Sequence, residues 1–445
     1  MPAATRQTRP AAIGPIPRTP LLDLDLLAAS RSLPELRQVL LHWWHRHGRQ
    51  AIPWKLRPDG SSPDDGEALN PYPIWVAEVM LQQTQLRVML PYWQRWMEVF
   101  PTLESLAAAE EHDVLLLWQG LGYYSRARRL QQGARSLLAG RSVTAPAATG
   151  AATSRTASIA AVVTTAGAND PWPRDLEGWL ALPGIGRSTA GSILSSAFDL
   201  PFAILDGNVK RVLARLIACP RPPARELAGF WRLSERLLDP RWPRVFNQAL
   251  MDLGATVCTP HHPSCGRCPW QGHCAAYAAG DPAAHPVKDS PRELPFHVIG
   301  VGVVLNGAGE VLIDQRLNEG PLGGLWEFPG GKQEAGEPIE TTIARELMEE
   351  LAITVEVGEE LITLEHAYSH RKLRFRVHLC RWLGGEPQPL ASQQVRWVAP
   401  DQLDDYPFPT ANARIIAALL AHLAQPGDLA AAPIDQQPEE SRPAA

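Results

Sequence analysis

Four of the six cysteines in this 445-residue chain fall in one stretch, Cys258-x6-Cys265-x2-Cys268-x5-Cys274. Four thiolates that close together can wrap a single centre in a compact loop. Spacing leaves Zn²⁺ and an iron–sulfur cubane both open, because zinc usually shows two CxxC knuckles and this loop has one. The N-terminus has basic residues but no apolar core before a small-residue cleavage site, so no secretory signal is read. The cysteines are therefore expected to be metal ligands in a cytoplasmic protein, not disulfides. Cys219 and Cys380 read as buried apolar thiols.

The hydrophobic pattern differs on the two sides of that loop. Upstream it is helical. Leu36, Val39, Leu40, Trp43 and Trp44 share one face, and further helices are expected over 74–99 with a break near Pro91, then over 103–109, 113–121, 125–138, 175–182, 188–198, 208–218, 226–238 and 244–253. Downstream, 297–306 and 310–317 are β-rich runs joined by a Gly-containing turn, 338–351 is helical, 353–383 is β-rich, and 413–423 closes as a helix. The expected class is multidomain, an all-α domain carrying the cysteine loop and then an α+β domain. The expected boundaries are a disordered leader at 1–33, a helical domain at 34–257 with a low-complexity Ala/Thr/Ser/Gly insertion at 140–170, the cysteine loop at 258–274, a linker at 275–294, the α+β domain at 295–425 and a disordered tail at 426–445.

Charge is divided in the same way. Net charge is −5, yet residues 1–290 carry 30 Lys+Arg against 24 Asp+Glu, and 291–445 carry 12 against 23. The basic part can lie on phosphate. Apolar runs are short and interrupted by charge, so no membrane span is expected.

Three motifs in the helical part bear chemistry. Leu182-Pro-Gly184-Ile-Gly186-Arg-Ser188 puts two glycines in a turn that opens a helix, where backbone N–H groups can grip a phosphate. Twenty residues on, Leu205-Asp206-Gly207-Asn208-Val209-Lys210 places an acid at a helix N-cap. An Asp held there is expected to stay ionised. In Trp75-Val-Ala-Glu78-Val-Met-Leu-Gln82-Gln83-Thr84-Gln85, one acid sits in an apolar helix followed by a glutamine tract. A carboxyl in such a setting has its pKa raised and can act as a general acid near neutrality.

Together these residues resemble the helix-hairpin-helix superfamily of DNA glycosylases that includes endonuclease III, and most closely the MutY-type adenine DNA glycosylases. The resemblance implies a [4Fe–4S] cluster on Cys258, Cys265, Cys268 and Cys274. It implies that Glu78 protonates adenine, that Asp206 stabilises the sugar cation, and that Gln82, Gln83 and Thr84 lie near the lesion strand. Bifunctional relatives carry a nucleophilic lysine where this chain has Ser188. A hydroxyl cannot form a Schiff base, so a monofunctional enzyme is expected, with Lys210 in a phosphate or structural role. In Trp118-Gln-Gly-Leu121-Gly-Tyr123-Tyr124-Ser-Arg126, Leu121 and Tyr123 match residues that wedge into the duplex. Pro53, Trp54 and Arg57 resemble a loop that closes over the flipped base.

The second domain carries Gly331-x5-Glu337-x7-Arg345-Glu346-Leu-Met-Glu349-Glu350-Leu-Ala352. This resembles a Nudix box, with Ala352 where the pattern has glycine. Glu346, Glu349 and Glu350 share a helix face and repel one another, which Mg²⁺ or Mn²⁺ would relieve, with Arg345 as an internal counter-ion. The stretch Tyr368-Ser369-His370 resembles an 8-oxoguanine-reading loop. Arg374 and Arg376 read equally well as phosphate contacts or as a solvated edge strand.

The function expected is removal of adenine mispaired with 8-oxoguanine or guanine in double-stranded DNA, by a monomer associated with the nucleoid. The alternatives are a bifunctional pyrimidine-lesion glycosylase and a Nudix pyrophosphatase acting on oxidised nucleotides.

Overall fold

The computed structural model describes residues 33–141, 170–289, 293–320, 322–367 and 371–424. The expected tail and nearly all of the expected leader and insertion lie outside them, as do Tyr368, Ser369 and His370.

Twelve helices are found among the described residues before the first strand: α1 Leu33–His47, α2 Pro71–Met80, α3 Leu86–Val99, α4 Leu103–Ala108, α5 Glu111–Trp118, α6 Ser125–Arg141, α7 Leu176–Leu180, α8 Arg187–Phe198, α9 Gly207–Leu216, α10 Leu227–Leu237, α11 Pro243–Thr256 and α12 Ala275–Ala278. The expected break at Pro91 is not there, because Pro91 lies inside α3. The chain breaks instead at 81–85, where Gln83 takes a left-handed φ of 64° that ends α2. Proline costs a helix one hydrogen bond, whereas a left-handed residue reverses its direction.

The chain divides into two compact units. The first holds the described residues of Met1–Met89, Met97–Ala107 and Gln132–Pro291, the second those of Leu90–Trp96, Ala108–Gln131 and Arg292–Ala445. In the first, Leu36 and Leu40 of α1, Val209, Val212, Leu213 and Leu216 of α9, Phe230 and Leu233 of α10, and Phe246, Leu250 and Leu253 of α11 form one core. The i, i+3, i+4, i+7 spacing on α9 is what turns a single apolar stripe inward. Trp270 of the cysteine loop joins this core and donates its indole N–H to the Leu36 carbonyl at 2.8 Å.

The second unit is built on a seven-stranded sheet: β1 Phe296–Leu305, β2 Val311–Arg316, β3 Trp326–Glu327, β4 Gly330–Lys332, β5 Thr354–Ala367, β6 Lys372–Gly384 and β7 Ser392–Val398. The strand order is β3-β2-β1-β6-β5, with β4 on β1 and β7 on β2. β1 and β2 form the expected antiparallel pair, and β1 runs parallel to β6. Helix α13 Ile339–Leu351 buries Ile339, Ile343 and Leu347 with β-sheet residues in one core, and α14 Thr410–Leu423 buries Ile415, Ile416 and Leu419 in another. The helical segments 90–96 and 108–131 group with this unit and not with the other helices. Tyr124 donates its hydroxyl to the Phe408 carbonyl at 2.6 Å, and Arg128 donates to the Gly323 carbonyl.

Candidate active site and cysteine loop

Helix α2 starts with Pro71 at its first turn and the Asn70 side chain accepting from Tyr72 N at 3.1 Å. It is buried on nearly every side, and Glu78 is its one acid. Burial raises the Glu78 pKa above the ordinary carboxylate value, Lys55 and Ser192 pull it back, and the Asp206 charge pushes it up again. The helix-hairpin-helix acid and the glutamine-motif acid, 128 positions apart in the chain, thus lie within electrostatic reach of each other.

Asp206 caps α9, accepting from Val209 N at 2.7 Å. Burial nonetheless raises its pKa, against the pull of the Val209 N–H, Arg211 and Lys210. The cap alone would lower it. The sequence shows the cap but not the burial.

The turn before α8 places Gly184 at φ 78°, which a side chain would strain, and Gly186 at the N-cap. Ser188 Oγ accepts the backbone N–H of Leu205 at 3.0 Å, beside Asp206. Gln82 Nε2 reaches the Gly184 carbonyl and Thr189 Oγ1, each at 3.3 Å, tying the end of α2 to the hairpin. Gln83 is exposed and Thr84 half-buried. Arg187 pairs with Glu235 and lies 4.1 Å from the centre of the Trp231 ring.

Lys55, unnoticed in the sequence, belongs to this site. The 3₁₀ turn Pro53–Lys55 delivers its Nζ to Gln248 Oε1 at 2.6 Å. Gln248 Nε2 in turn donates to Asp252 Oδ1 at 2.7 Å. Asp252, fully buried, also accepts from Trp44 Nε1 at 3.0 Å and Arg49 N at 2.7 Å, and pairs with the Arg49 guanidinium at 2.6 Å. The only sequence signal was position, since Lys55 directly follows Pro53 and Trp54. Arg57 does not join them. It pairs with Asp64 and Glu67 in its own loop, which holds Glu67 down at a pKa of about 2.

The four clustered thiols line one cavity with Arg215, Val257 and Pro263. Burial pushes Cys265, Cys268 and Cys274 up, Cys268 to about 12, and neighbouring sulfurs push the same way. Three thiols held back from ionising by burial, in one cavity with a fourth, suit a cationic centre, which would reverse that penalty. Arg215 donates to Cys258 Sγ at 3.3 Å and to the carbonyls of Thr259 and Pro260. Arg211 joins Asn208 Oδ1 to the Cys258 carbonyl, at 2.8 Å each, so the loop is bonded to the helix that Asp206 caps. A bound centre would have to draw the thiols together, because among the described residues no group of three or more His, Cys, Asp or Glu is arranged to hold a metal ion.

In the second unit, the loop before α6 holds Tyr123 half-exposed at φ 48°, fastened by Arg126 Nη2 on the carbonyls of Leu121 and Gly122 at 3.0 and 3.1 Å. Leu121, expected to project, is buried here.

The Nudix-type glutamates Glu346, Glu349 and Glu350 lie on α13 within electrostatic reach of one another. Arg345 pairs with Glu337, Glu346 and Glu349, each at 3.0 Å. Burial and the charges of Glu346, Glu327 and Glu349 raise Glu350 to about 7. Asp314 and Glu327, directly opposed across β2 and β3, are raised by burial as well, and Asp314 Oδ1 has no hydrogen-bond partner. Asp314 lies in an expected β-rich run and Glu327 lies in no expected element, and neither acid stood out in the sequence. A Cβ on Gly331 would stand 2.1 Å from the Glu346 carboxyl, which is why that position has no side chain. Strand β6 is interior, between β1 and β5, and not an edge. Arg374 pairs with Glu365 at 2.7 Å and Arg376 with Glu360 at 2.5 Å across β5.

Comparison with known proteins agrees with this layout. Residues 76–232 match the HhH-GPD superfamily of base excision DNA repair proteins, and residues 300–418 match the NUDIX domain. The chain is 32% identical to an adenine DNA glycosylase of Rattus norvegicus over 91% of its own length and 82% of the relative's. It is 32% identical to an adenine DNA glycosylase of Homo sapiens over 85% and 73%. Among solved structures it is similar to a thermostable thymine-DNA glycosylase, at 21% identity and a TM-score of 0.44, covering 57% of this chain and 99% of that one. Two matched domains in this order, and relatives aligned along most of their length, place the chain in the adenine DNA glycosylase family.

Proposed function

We propose that this chain hydrolyses the N-glycosidic bond of adenine mispaired with 8-oxoguanine or guanine in double-stranded DNA. Glu78 gives its proton to the base, which then leaves as a neutral group. Asp206 stands beside the positive sugar and stabilises it electrostatically. Water activated by the Glu78 carboxylate then completes the hydrolysis. What carries this reading is the pairing of Glu78, raised by burial, with Asp206 anchored at the start of α9. The Ser188 hydroxyl is engaged by Leu205 N and offers no amine, which supports base release without strand cleavage.

The four cysteines would hold a [4Fe–4S] cluster that staples the loop, with Arg215 donating to one ligand. The hairpin turn with Gly184 and Gly186, together with Lys210, would meet phosphate, and Gln83, Thr84 and Tyr123 would meet the strands at the mispair. Tyr368, Ser369 and His370 would read the oxidised base. The enzyme would act as a monomer on nucleoid DNA; among the described residues no helix is long and apolar enough to cross a membrane. A second reading, Mg²⁺ or Mn²⁺ bound at the C-terminal carboxylates for nucleotide hydrolysis, rests on Glu350 and the unpartnered Asp314 oxygen. Pyrophosphate release from oxidised dGTP, lost in Glu350→Gln, would support it.

The test of the main reading is single-turnover release of adenine from A:8-oxoguanine, A:G and A:T duplexes. Wild type should act on the first two and Glu78→Gln on none. Adenine release from no duplex by iron-loaded protein, or a borohydride-trapped adduct that depends on Lys210, would overturn it.

A further inference from the structure

The Lys55–Gln248–Asp252 chain has no part in the reaction as described so far. It joins a turn near the start of the chain to α11, nearly 200 residues later, through hydrogen bonds of 2.6 and 2.7 Å. Its inner end cannot move, because Asp252 is fully buried and held by Trp44, Arg49 and Gln248. An ammonium seated on a neutral amide is held in place without losing its charge to a direct carboxylate partner. That charge is then free to act on the next acid.

That acid is Glu78. We propose that Lys55, held by the Gln248–Asp252 relay, is a positioning residue that stabilises the Glu78 carboxylate formed on proton transfer and so sets the pH range of base release. The inference rests on Glu78 being the proton donor.

The step balances without a further reactant. The Glu78 O–H bond breaks, an N–H bond forms on the base, and the carboxylate left behind faces an ammonium already in place. The groups that face Glu78 are Lys55 from the Pro53–Lys55 turn, Ser192 from α8 and Asp206 from the cap of α9. Lys55 is the one cation among them. Burial is the largest influence on Lys55 and lowers its pKa; of the charges that face it, Glu78 and Asp252 favour the ammonium, and Arg49 and Arg244 oppose it. Glu78 is the largest electrostatic influence on Lys55, and Lys55 on Glu78. An opposite charge at such a site lowers a carboxyl by about 1–3 pH units.

The sign follows. Base release needs Glu78 protonated, so the rate falls as pH rises through its pKa. Removing the Lys55 charge raises that pKa and moves the fall to higher pH. The experiment is the pH profile of single-turnover adenine release by the full-length, iron-loaded protein, for wild type, Lys55→Met and Lys55→Arg, together with a ¹³C titration of the Glu78 carboxyl without DNA. Lys55→Met is expected to move both midpoints up by about 1 unit or more, and Lys55→Arg to keep them near wild type. A Lys55→Met enzyme that is slower at every pH, with midpoints unmoved, would show a merely structural role and overturn the inference alone. If Lys55→Met does not fold, Gln248→Leu, which keeps the ammonium and cuts its tether, carries the same test, and unmoved midpoints again overturn it. Absence of adenine release by wild type overturns the reading of function, and this inference with it.

Discussion

Ser188 Oγ and the backbone N–H of Leu205 are 3.0 Å apart, a bond that ties the helix-hairpin-helix turn to the residue preceding Asp206. Ser188 thereby fastens the backbone next to the Asp206 carboxylate. Ser188→Ala is expected to cost about 1 kcal/mol of stability. The single-turnover rate should drop several-fold with DNA affinity nearly unchanged, because Asp206 loses a restraint and no phosphate contact is removed. Parallel measurements of rate and of duplex binding separate the two. A loss of affinity that matches the loss of rate would assign Ser188 to phosphate instead.

Glu350 yields a pH-dependent stability in the C-terminal unit. Its pKa rises from the ordinary 4.5 to about 7 through burial and the nearby Glu346 and Glu327 charges. Between those values the folded chain holds a proton that the unfolded chain has lost. Stability is therefore fully present below about 4.5 and declines as pH climbs through about 7. Glu350→Gln should abolish that decline, so thermal unfolding in chelator at pH 8 should favour the variant, and at pH 4 the two should coincide. Parallel curves at both pH values would mean that the acid is not desolvated.

Ala352 ends α13 at φ 56°, ψ 34°, a conformation that costs a residue with a Cβ about 1–2 kcal/mol. Glycine would meet that geometry without strain and lose part of the gain to its freer unfolded chain. Ala352→Gly is expected to stabilise the C-terminal unit by about 1 kcal/mol, read as a higher urea midpoint of its transition. A destabilised variant would show that the left-handed geometry is not kept in solution.

Cys268, with its thiol pushed up to about 12, is the most ionisation-resistant of Cys265, Cys268 and Cys274. It should depend most on a cationic centre to become a ligand. Cys268→Ser is expected to lower iron content sharply, and to cost base-release activity because the loop is bonded through Arg211 to the helix that Asp206 caps. Iron assay and activity on one preparation check this. Full activity without iron would leave the loop no role in placing Asp206.

Local features could be read from residue types in order. Glu78 stands alone in an apolar helix, Asp206 precedes a helix start, the cysteines crowd one loop, and the switch from helical to alternating periodicity marks the second domain. Each of these depends on neighbours a few positions away, where helix pitch and strand pleat set which side chains meet. Lys55 on Gln248 and Asp314 opposite Glu327 came only from the tertiary structure. So did the burial that raises Asp206 despite its cap. Desolvation and long-range pairing depend on which distant segments pack over a group, and a one-dimensional pattern carries no measure of either.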